Sequence, residues 1–281
     1  MPCFLKSKEK LIYIAANGKA EELPQRKKKN KFKKENESSI RAYESLISKL
    51  LKNPNSPIFI KRKVVGLIFF IWYYILMKKN LYPGKFIVFD SLDGAGNSTQ
   101  VKLLADYLNK IGKKTHITKE PTSGLIGGLI KSQLTHDWKS SAECLQLLFS
   151  ADRAYHLEKE ILPLLKRGIN VISDRYFFST MAYGNLGIKD LNWLIEINKK
   201  FLLPDLSFFL KVSPGVCIER IKKDRFEVTL YEKEKILEKV WKNYEILAKK
   251  FENVYIIDGE KSIEEISKEI QKILNKKLWK K

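Results

Sequence analysis

The sequence predicts an α/β fold: a three-layer sandwich with a parallel five-stranded sheet between helices, preceded by a mostly helical or disordered N-terminal extension. Three observations carry this. From Lys85 onward, short runs of β-formers alternate with stretches of helical periodicity, the pattern of a parallel sheet covered on both faces. The first of these runs leads directly into a segment of small residues that opens a helix. The residues before it differ in composition, with 19 Lys/Arg against 6 Asp/Glu in residues 1–84, a net +13 of the chain's +21. Two regions follow, an extension over 1–84 and a domain over 85–281.

The strands read in order as Phe86–Asp90, Thr115–Thr118, Ile169–Ser173, Leu206–Val212 and Val254–Ile257. Between and after them the helical segments are Ser98–Ile111, Ile126–Leu134, Ser141–Leu165 (disturbed near Pro163), Pro214–Lys223, Glu232–Phe251 and Ile263–Leu274.

In the extension, residues 24–37 form a basic low-complexity run that cannot bury a core and reads as a solvated linker. Residues 38–52 space their apolar positions by three and four, as a short amphipathic helix does. The apolar stretch Val64–Met77, with Lys/Arg on both sides, is 14 residues long. A helix of that length rises about 21 Å, short of the roughly 30 Å hydrocarbon core. Three readings of it stand: a helix docked on the domain, an interfacial helix lying on a membrane with residues 61–79, or a true span. The N-terminus lacks the apolar region and small-residue cleavage site of a secretory signal. Cys3, Cys144 and Cys217 are far apart and read as reduced thiols of an intracellular protein. The three histidines have no metal-ligand spacing, which argues against a structural zinc site. The basic balance suggests anionic partners: nucleotides, nucleic acid or a membrane surface.

The segment after the first strand is Ser91-Leu92-Asp93-Gly94-Ala95-Gly96-Asn97-Ser98-Thr99. It sits where a phosphate-binding loop must sit. Small residues let backbone N–H groups close around phosphates, and the helix opening at Ser98 adds its positive end. Ser98 is placed to reach Mg²⁺ through its hydroxyl. Against the pattern G-x-x-x-x-G-K-[ST], Ser91 replaces the first glycine and Asn97 replaces the lysine. An asparagine donates a hydrogen bond but brings no charge.

Read together with this loop, three later segments resemble the thymidylate kinase family over about residues 86–278. They are Lys119-Glu120-Pro121-Thr122-Ser123-Gly124 with Ile126-Gly127; Leu147-Leu148-Phe149-Ser150-Ala151-Asp152-Arg153; and Val171-Ile172-Ser173-Asp174-Arg175-Tyr176 with Ser179 and Ala182-Tyr183. Leu203-Pro204-Asp205-Leu206 matches a fourth family segment. The resemblance implies transfer of the ATP γ-phosphoryl to dTMP in dTTP biosynthesis, with Mg²⁺, in a cytoplasmic homodimer. It implies ATP contacts along Ser91–Thr99 and metal contacts from Ser98 and Asp174. On the acceptor side it implies Lys119 and Glu120, Phe149 stacked on the thymine, Arg153 at the base or acceptor phosphate, Arg175 clamping that phosphate, Asp93 near the sugar 3′-hydroxyl and Tyr183 against its 2′ position. Lys119 stands where the family commonly has Arg, and Gly184 where it often has Gln. Between Arg220 and Glu232 the family carries a mobile lid, which makes Arg220 and Arg225 candidates to neutralise transition-state charge.

Two other readings of the sequence remain beside the active dTMP kinase. One is a degenerate homologue that binds nucleotide weakly because Asn97 lacks the charge of lysine. The other is a related kinase with a different acceptor. Contact of the basic extension with a membrane or nucleic acid is compatible with each.

Overall fold

The structure is a computed structural model that describes residues 3–7, 10–14, 20–22, 79–224 and 234–279. The chain divides into two compact units, Met1–Phe69 and Phe70–Lys281.

In the first unit, β1 (Cys3–Ser7), β2 (Lys10–Ile14) and β3 (Ala20–Glu22) form an antiparallel meander in which Cys3 pairs with Ile14 and Ile12 with Glu22. The sequence reading assigned no strand here. Two runs of β-formers, Cys3–Leu5 and Leu11–Ile14, flank a short polar link, and that arrangement favours a hairpin. The linker 24–37, the helix expected over 38–52 and the apolar stretch 64–77 lie outside the described residues.

The second unit is built on a five-stranded sheet with the order β5-β6-β4-β7-β8, every neighbouring pair parallel. These strands are β4 (Phe86–Phe89), β5 (Thr115–Lys119), β6 (Asn170–Asp174), β7 (Leu206–Lys211) and β8 (Val254–Asp258). All four residues of β4 are fully buried, as expected for the middle strand of a sheet covered on both faces. The chain leaves β4 toward β5 on one side and later places β7 on the other. The carboxyl end of β4 is therefore the point where the winding reverses, and that is where open parallel sheets bind ligands. At the opposite end of β4, Asp205 accepts hydrogen bonds from the Phe86 N–H (2.8 Å) and the Asn80 amide (2.6 Å). This gives the Leu203-Pro204-Asp205-Leu206 segment a role in registering β7 against β4.

The helices are α1 (Asn97–Lys110), α2 (Leu125–Leu134), α3 (Ala142–His156), α4 (Leu162–Lys166), α5 (Phe177–Ile188), α6 (Leu191–Asn198), α7 (Pro214–Asp224), α8 (Glu234–Lys250) and α9 (Ile263–Leu278). Helix α1 packs on α9, and α5 packs on α3, α6 and α8. The long helix expected over Ser141–Leu165 is continuous but widens into a π turn at Leu157–Ile161, just before Pro163. Proline has no N–H for the helical ladder and its ring crowds the carbonyl four residues back, and a π turn relieves both. Helix α9 opens with a capping box, Ser262 to Glu265.

Candidate active site

The carboxyl ends of the strands carry the chemistry. Residues 91–99 follow β4, Lys119 and Glu120 end β5, Asp174 and Arg175 end β6, and Gly259 to Lys261 follow β8. They converge on a cavity of about 400 Å³ lined by the loop from Leu92 to Gln100, by Asp174, and by four cations: Lys119, Arg175, Arg220 and Lys261. That volume lies within the range of small-ligand sites.

The loop is shaped by two glycines in the left-handed region. Gly94 has φ +79°, and a Cβ there would lie 2.5 Å from the carbonyl oxygen of Cys217, so the loop can rest on α7 only with glycine at this position. Gly96 has φ +97° and opens onto empty space, with nothing within 4 Å of a would-be Cβ. It is the N-cap of α1 and offers no capping side chain, which leaves the first N–H groups of the helix to a ligand.

Ser91 departs from the sequence expectation. It is fully buried, its hydroxyl donates to the Asp90 carbonyl (2.6 Å), and it accepts the Leu210 N–H (2.7 Å). A serine in place of the first loop glycine thus ties β4 to β7, and its side chain is turned away from the cavity. Asn97 is 7% exposed and lines the cavity, and neither Oδ1 nor Nδ2 has a hydrogen-bond partner. Buried carboxamide atoms left unpaired are costly, and at the wall of this cavity they are open to a ligand's hydrogen-bonding groups.

Ser98 Oγ donates to Asp174 Oδ2 at 2.5 Å, and Lys119 Nζ lies 3.8 Å from the same oxygen. A hydroxyl and a carboxylate side by side on the cavity wall suit Mg²⁺, a hard cation that takes oxygen ligands. The expected metal pair is therefore adjacent. Lys119, expected on the acceptor side, lies beside Asp174, because β5 and β6 pair the two residues in register.

Next to the loop is a preorganised clamp. Arg175 donates through Nη2 to Asp93 Oδ1 (2.7 Å) and through Nη1 to the Ser91 carbonyl (2.9 Å) and Ser179 Oγ (2.8 Å). Tyr183 donates its hydroxyl to Asp93 Oδ2 (2.9 Å) and accepts the Asp93 N–H (3.0 Å). Under the clamp lies Asp90, fully buried, which accepts from the Tyr176 N–H (3.1 Å), the Tyr244 hydroxyl (3.1 Å) and Ser179 Oγ. Burial raises the Asp90 carboxyl from its ordinary 3.8 to about 7, against the opposing pull of Arg175 and these hydrogen bonds. Burial works to lower Arg175, but Asp93 and its neighbours outweigh it and hold the guanidinium well above its ordinary value. The Tyr183 hydroxyl is raised by burial and by Asp93 and stays protonated.

The expected acceptor residues on α3 divide. Phe149 is half-buried on α3. Arg153 is completely buried, which corrects the expectation that it meets the base or the acceptor phosphate in this arrangement. Its fork is held by Glu120 (Nε 2.9 Å, Nη2 2.8 Å), Asn198 Oδ1 (2.6 Å) and Thr180 Oγ1 (2.9 Å), and its plane lies over the Tyr176 ring. Glu120 is 3% exposed and also accepts from His156 Nδ1 (3.1 Å), so it too is a supporting group. Asp152 takes the N–H and hydroxyl of Thr122 (2.8 and 2.7 Å). The Lys119–Thr122 and Asp152–Arg153 segments thus occur together because one bolts onto the other. The sequence reading missed Asp90, Tyr244 and Lys261. Asp90 had a signal, a carboxylate closing an apolar strand before the loop. Arg225 and the remainder of the lid over 225–233 lie outside the described residues, while Arg220 reaches toward the loop, with Nη1 3.5 Å from the Ala95 carbonyl.

The family model "Thymidylate kinase" matches residues 89–270. A Pyrococcus horikoshii protein named "Probable thymidylate kinase" is 40% identical over 203 residues, covering 69% of this chain and 98% of that one. A protein of the same name from Methanococcus aeolicus is 41% identical over 201 residues with the same coverage, and the Thermosipho africanus "Thymidylate kinase" is 35% identical over 198 residues. Among solved structures, a thymidylate kinase from Candida albicans superposes with a TM-score of 0.60 at 28% identity, covering 69% of this chain and 92% of that chain. Among the described residues no helix is long and apolar enough to cross a membrane.

Proposed function

We propose, because the chain belongs to the thymidylate kinase family and its loop and clamp share one sheet edge, that it transfers the γ-phosphoryl of ATP to dTMP to give dTDP. The observation that carries this reading is Arg175 bound to both Asp93 and the loop carbonyl of Ser91. It links the acceptor clamp rigidly to the donor loop. Phosphoryl transfer needs little covalent help and depends on positioning and charge neutralisation, which is what such a link supplies.

In this reading the N–H groups from Gly94 to Thr99 hold the donor phosphates at the start of α1. Arg175 offers its fork to the acceptor phosphate, Phe149 carries the thymine on its face, and Asp93, braced by Tyr183, faces the sugar 3′-hydroxyl. Ser98 and Asp174 would hold Mg²⁺, which when bound neutralises phosphate charge. The charge absent at Asn97 is supplied by Lys119, Arg220 and Lys261, with Arg225 added from the lid. We extend the reading to a cytoplasmic homodimer serving dTTP synthesis, with the basic extension free to meet a membrane or nucleic acid.

The unpartnered Asn97 favours a second reading, a homologue that binds nucleotide without efficient catalysis. One coupled assay of ADP release, run with dTMP, dUMP and dCMP, separates the two. Turnover preferring dTMP supports the kinase. ATP retained in equilibrium dialysis without ADP release favours the second reading, absence of ATP binding at millimolar nucleotide removes the kinase, and a preference for dUMP or dCMP reassigns the acceptor.

A further inference from the structure

We propose that the side-chain carboxamide of Gln146 recognises the imide N–H of the acceptor base, and so sets base specificity from α3. This rests on the reading that the base lies against Phe149, and it deepens that reading.

Gln146 is 2% exposed, yet its Oε1 has no hydrogen-bond partner. Such an oxygen is costly to bury unless something donates to it. Its position is set by α5. A Cβ at Gly184, the residue after Tyr183, would lie 2.7 Å from both Cδ and Oε1 of Gln146 and 3.1 Å from Nε2. The carboxamide of Gln146 therefore occupies the space that any side chain at 184 would need, and the backbone of α5 backs it.

Three further points relate this oxygen to Phe149 and the clamp. Gln146 precedes Phe149 by three residues on α3, so the two share a neighbouring helical face. Arg153, two turns on, binds Thr180 of α5, one turn before Gly184. Gln146 thus lies along the same α3–α5 seam as the Arg153–Thr180 contact. And Tyr183, which precedes Gly184, grips Asp93 of the clamp. The missing partner is a donor, and the Watson–Crick edge of thymine or uracil presents one, N3–H, between two carbonyls. Cytosine presents a bare ring nitrogen there, which leaves Oε1 facing a second acceptor unless the amide reverses.

The test pairs a change in the protein with a change in the ligand. Binding of dTMP and of N3-methyl-dTMP is measured by titration calorimetry on the full chain, for wild type and for Gln146→Met, which keeps the length and apolar stem and removes the amide. Wild type is expected to prefer dTMP by about tenfold, the size of one buried hydrogen bond. In Gln146→Met that preference falls to about parity, with ATP binding and melting temperature little changed. A variant that keeps the full preference overturns the proposal and leaves the kinase reading intact. A wild type that binds neither ligand overturns both. Gly184→Ala provides an independent arm: its methyl displaces the Gln146 amide, so it too is expected to lose the preference, and an unchanged preference there also counts against the proposal. If Gln146→Met fails to fold, Gly184→Ala alone decides.

Discussion

The acceptor clamp and the donor loop lie side by side at one sheet edge, but their bonding is complete to different degrees. Arg175, Asp93, Tyr183, Ser179 and Asp90 hold one another through hydrogen bonds made without a ligand. Asn97, a few residues away, is buried with both carboxamide atoms unpaired. The clamp is preorganised, so its binding energy is not lost to ordering side chains when the acceptor arrives. On the proposed reading the loop is completed by its ligand, and the charge that Asn97 lacks comes from Lys119, Arg220 and Lys261 on the cavity wall.

The largest expected effect comes from breaking the link between the two halves. Arg175→Ala removes the phosphate fork and releases Asp93 and the Ser91 carbonyl together. Loss of a preorganised charged contact to a transferring phosphoryl group costs about 10³-fold. kcat/KM for dTMP is the readout, and Arg175→Lys is expected to recover only a small part, because a point charge cannot hold two partners in a plane. A loss below about tenfold would show that the clamp is scaffolding.

The clamp's floor has its own signature. The folded Asp90 carboxyl holds its proton more tightly than the unfolded one, with a value near 7 in place of 3.8. The native state therefore binds more protons than the unfolded state between those values, and stability falls as pH rises from about 4 to 7. The span of that fall is at most about 4 kcal/mol. Melting curves from pH 4 to 8 are expected to show the decline, and Asp90→Asn, which cannot ionise, to flatten it. Equal slopes in the two proteins would mean that other groups set the pH dependence.

The donor half is tested by restoring what it lacks. Asn97→Lys puts an ammonium group in the cavity beside the loop and is expected to raise kcat about 10²-fold, the worth of one charge at a developing phosphate. Combining it with Arg220→Ala shows which cation has been standing in. Arg220→Ala is expected to cost about tenfold more with asparagine at 97 than with lysine there. Additive effects would mean that Arg220 is not the substitute, and the same cycle then passes to Lys119 and Lys261.

Much of this was legible in the sequence because it was local. The five strands, the loop and the Asp174-Arg175 pair are contiguous patterns of apolar runs and turn residues. What was not legible depended on partners distant in sequence. Arg153 reads as a site residue, and only the fold brings Glu120, Thr180 and Asn198 around it. Ser91 reads as a damaged loop glycine, and only the β4–β7 pairing shows what its hydroxyl binds. Helix α5 gave no amphipathic stripe because residues 177–178 and 180–184 are all buried, and Gly184 and Gly187 weaken its propensity. Lys261 carried no motif; its place is set by the parallel order that brings the end of β8 to the cavity.

The smallest effect sharpens the comparison most, because it removes hydroxyl bonding from the clamp and leaves its shape. Tyr183→Phe deletes both hydrogen bonds to Asp93, while Arg175 still holds the other carboxylate oxygen. The ring stays, and with it the stacking of the Arg175 guanidinium 5.6 Å from the ring centroid. About a fivefold loss in kcat/KM for dTMP is expected, about 1 kcal/mol for the two hydrogen bonds together, because the Arg175 contact still holds Asp93. It should appear in KM for dTMP and not in KM for ATP, because the loop N–H groups from Gly94 to Thr99 keep their positions. If, as the resemblance implies, the Tyr183 ring lies beside the sugar 2′ position, discrimination against ribonucleotide acceptors should survive, because the ring remains. Tyr183→Ala, which empties that space, should lose it. If Tyr183→Phe instead raises KM for ATP, the clamp and the loop are coupled through Asp93, and the two halves of the site act as one unit.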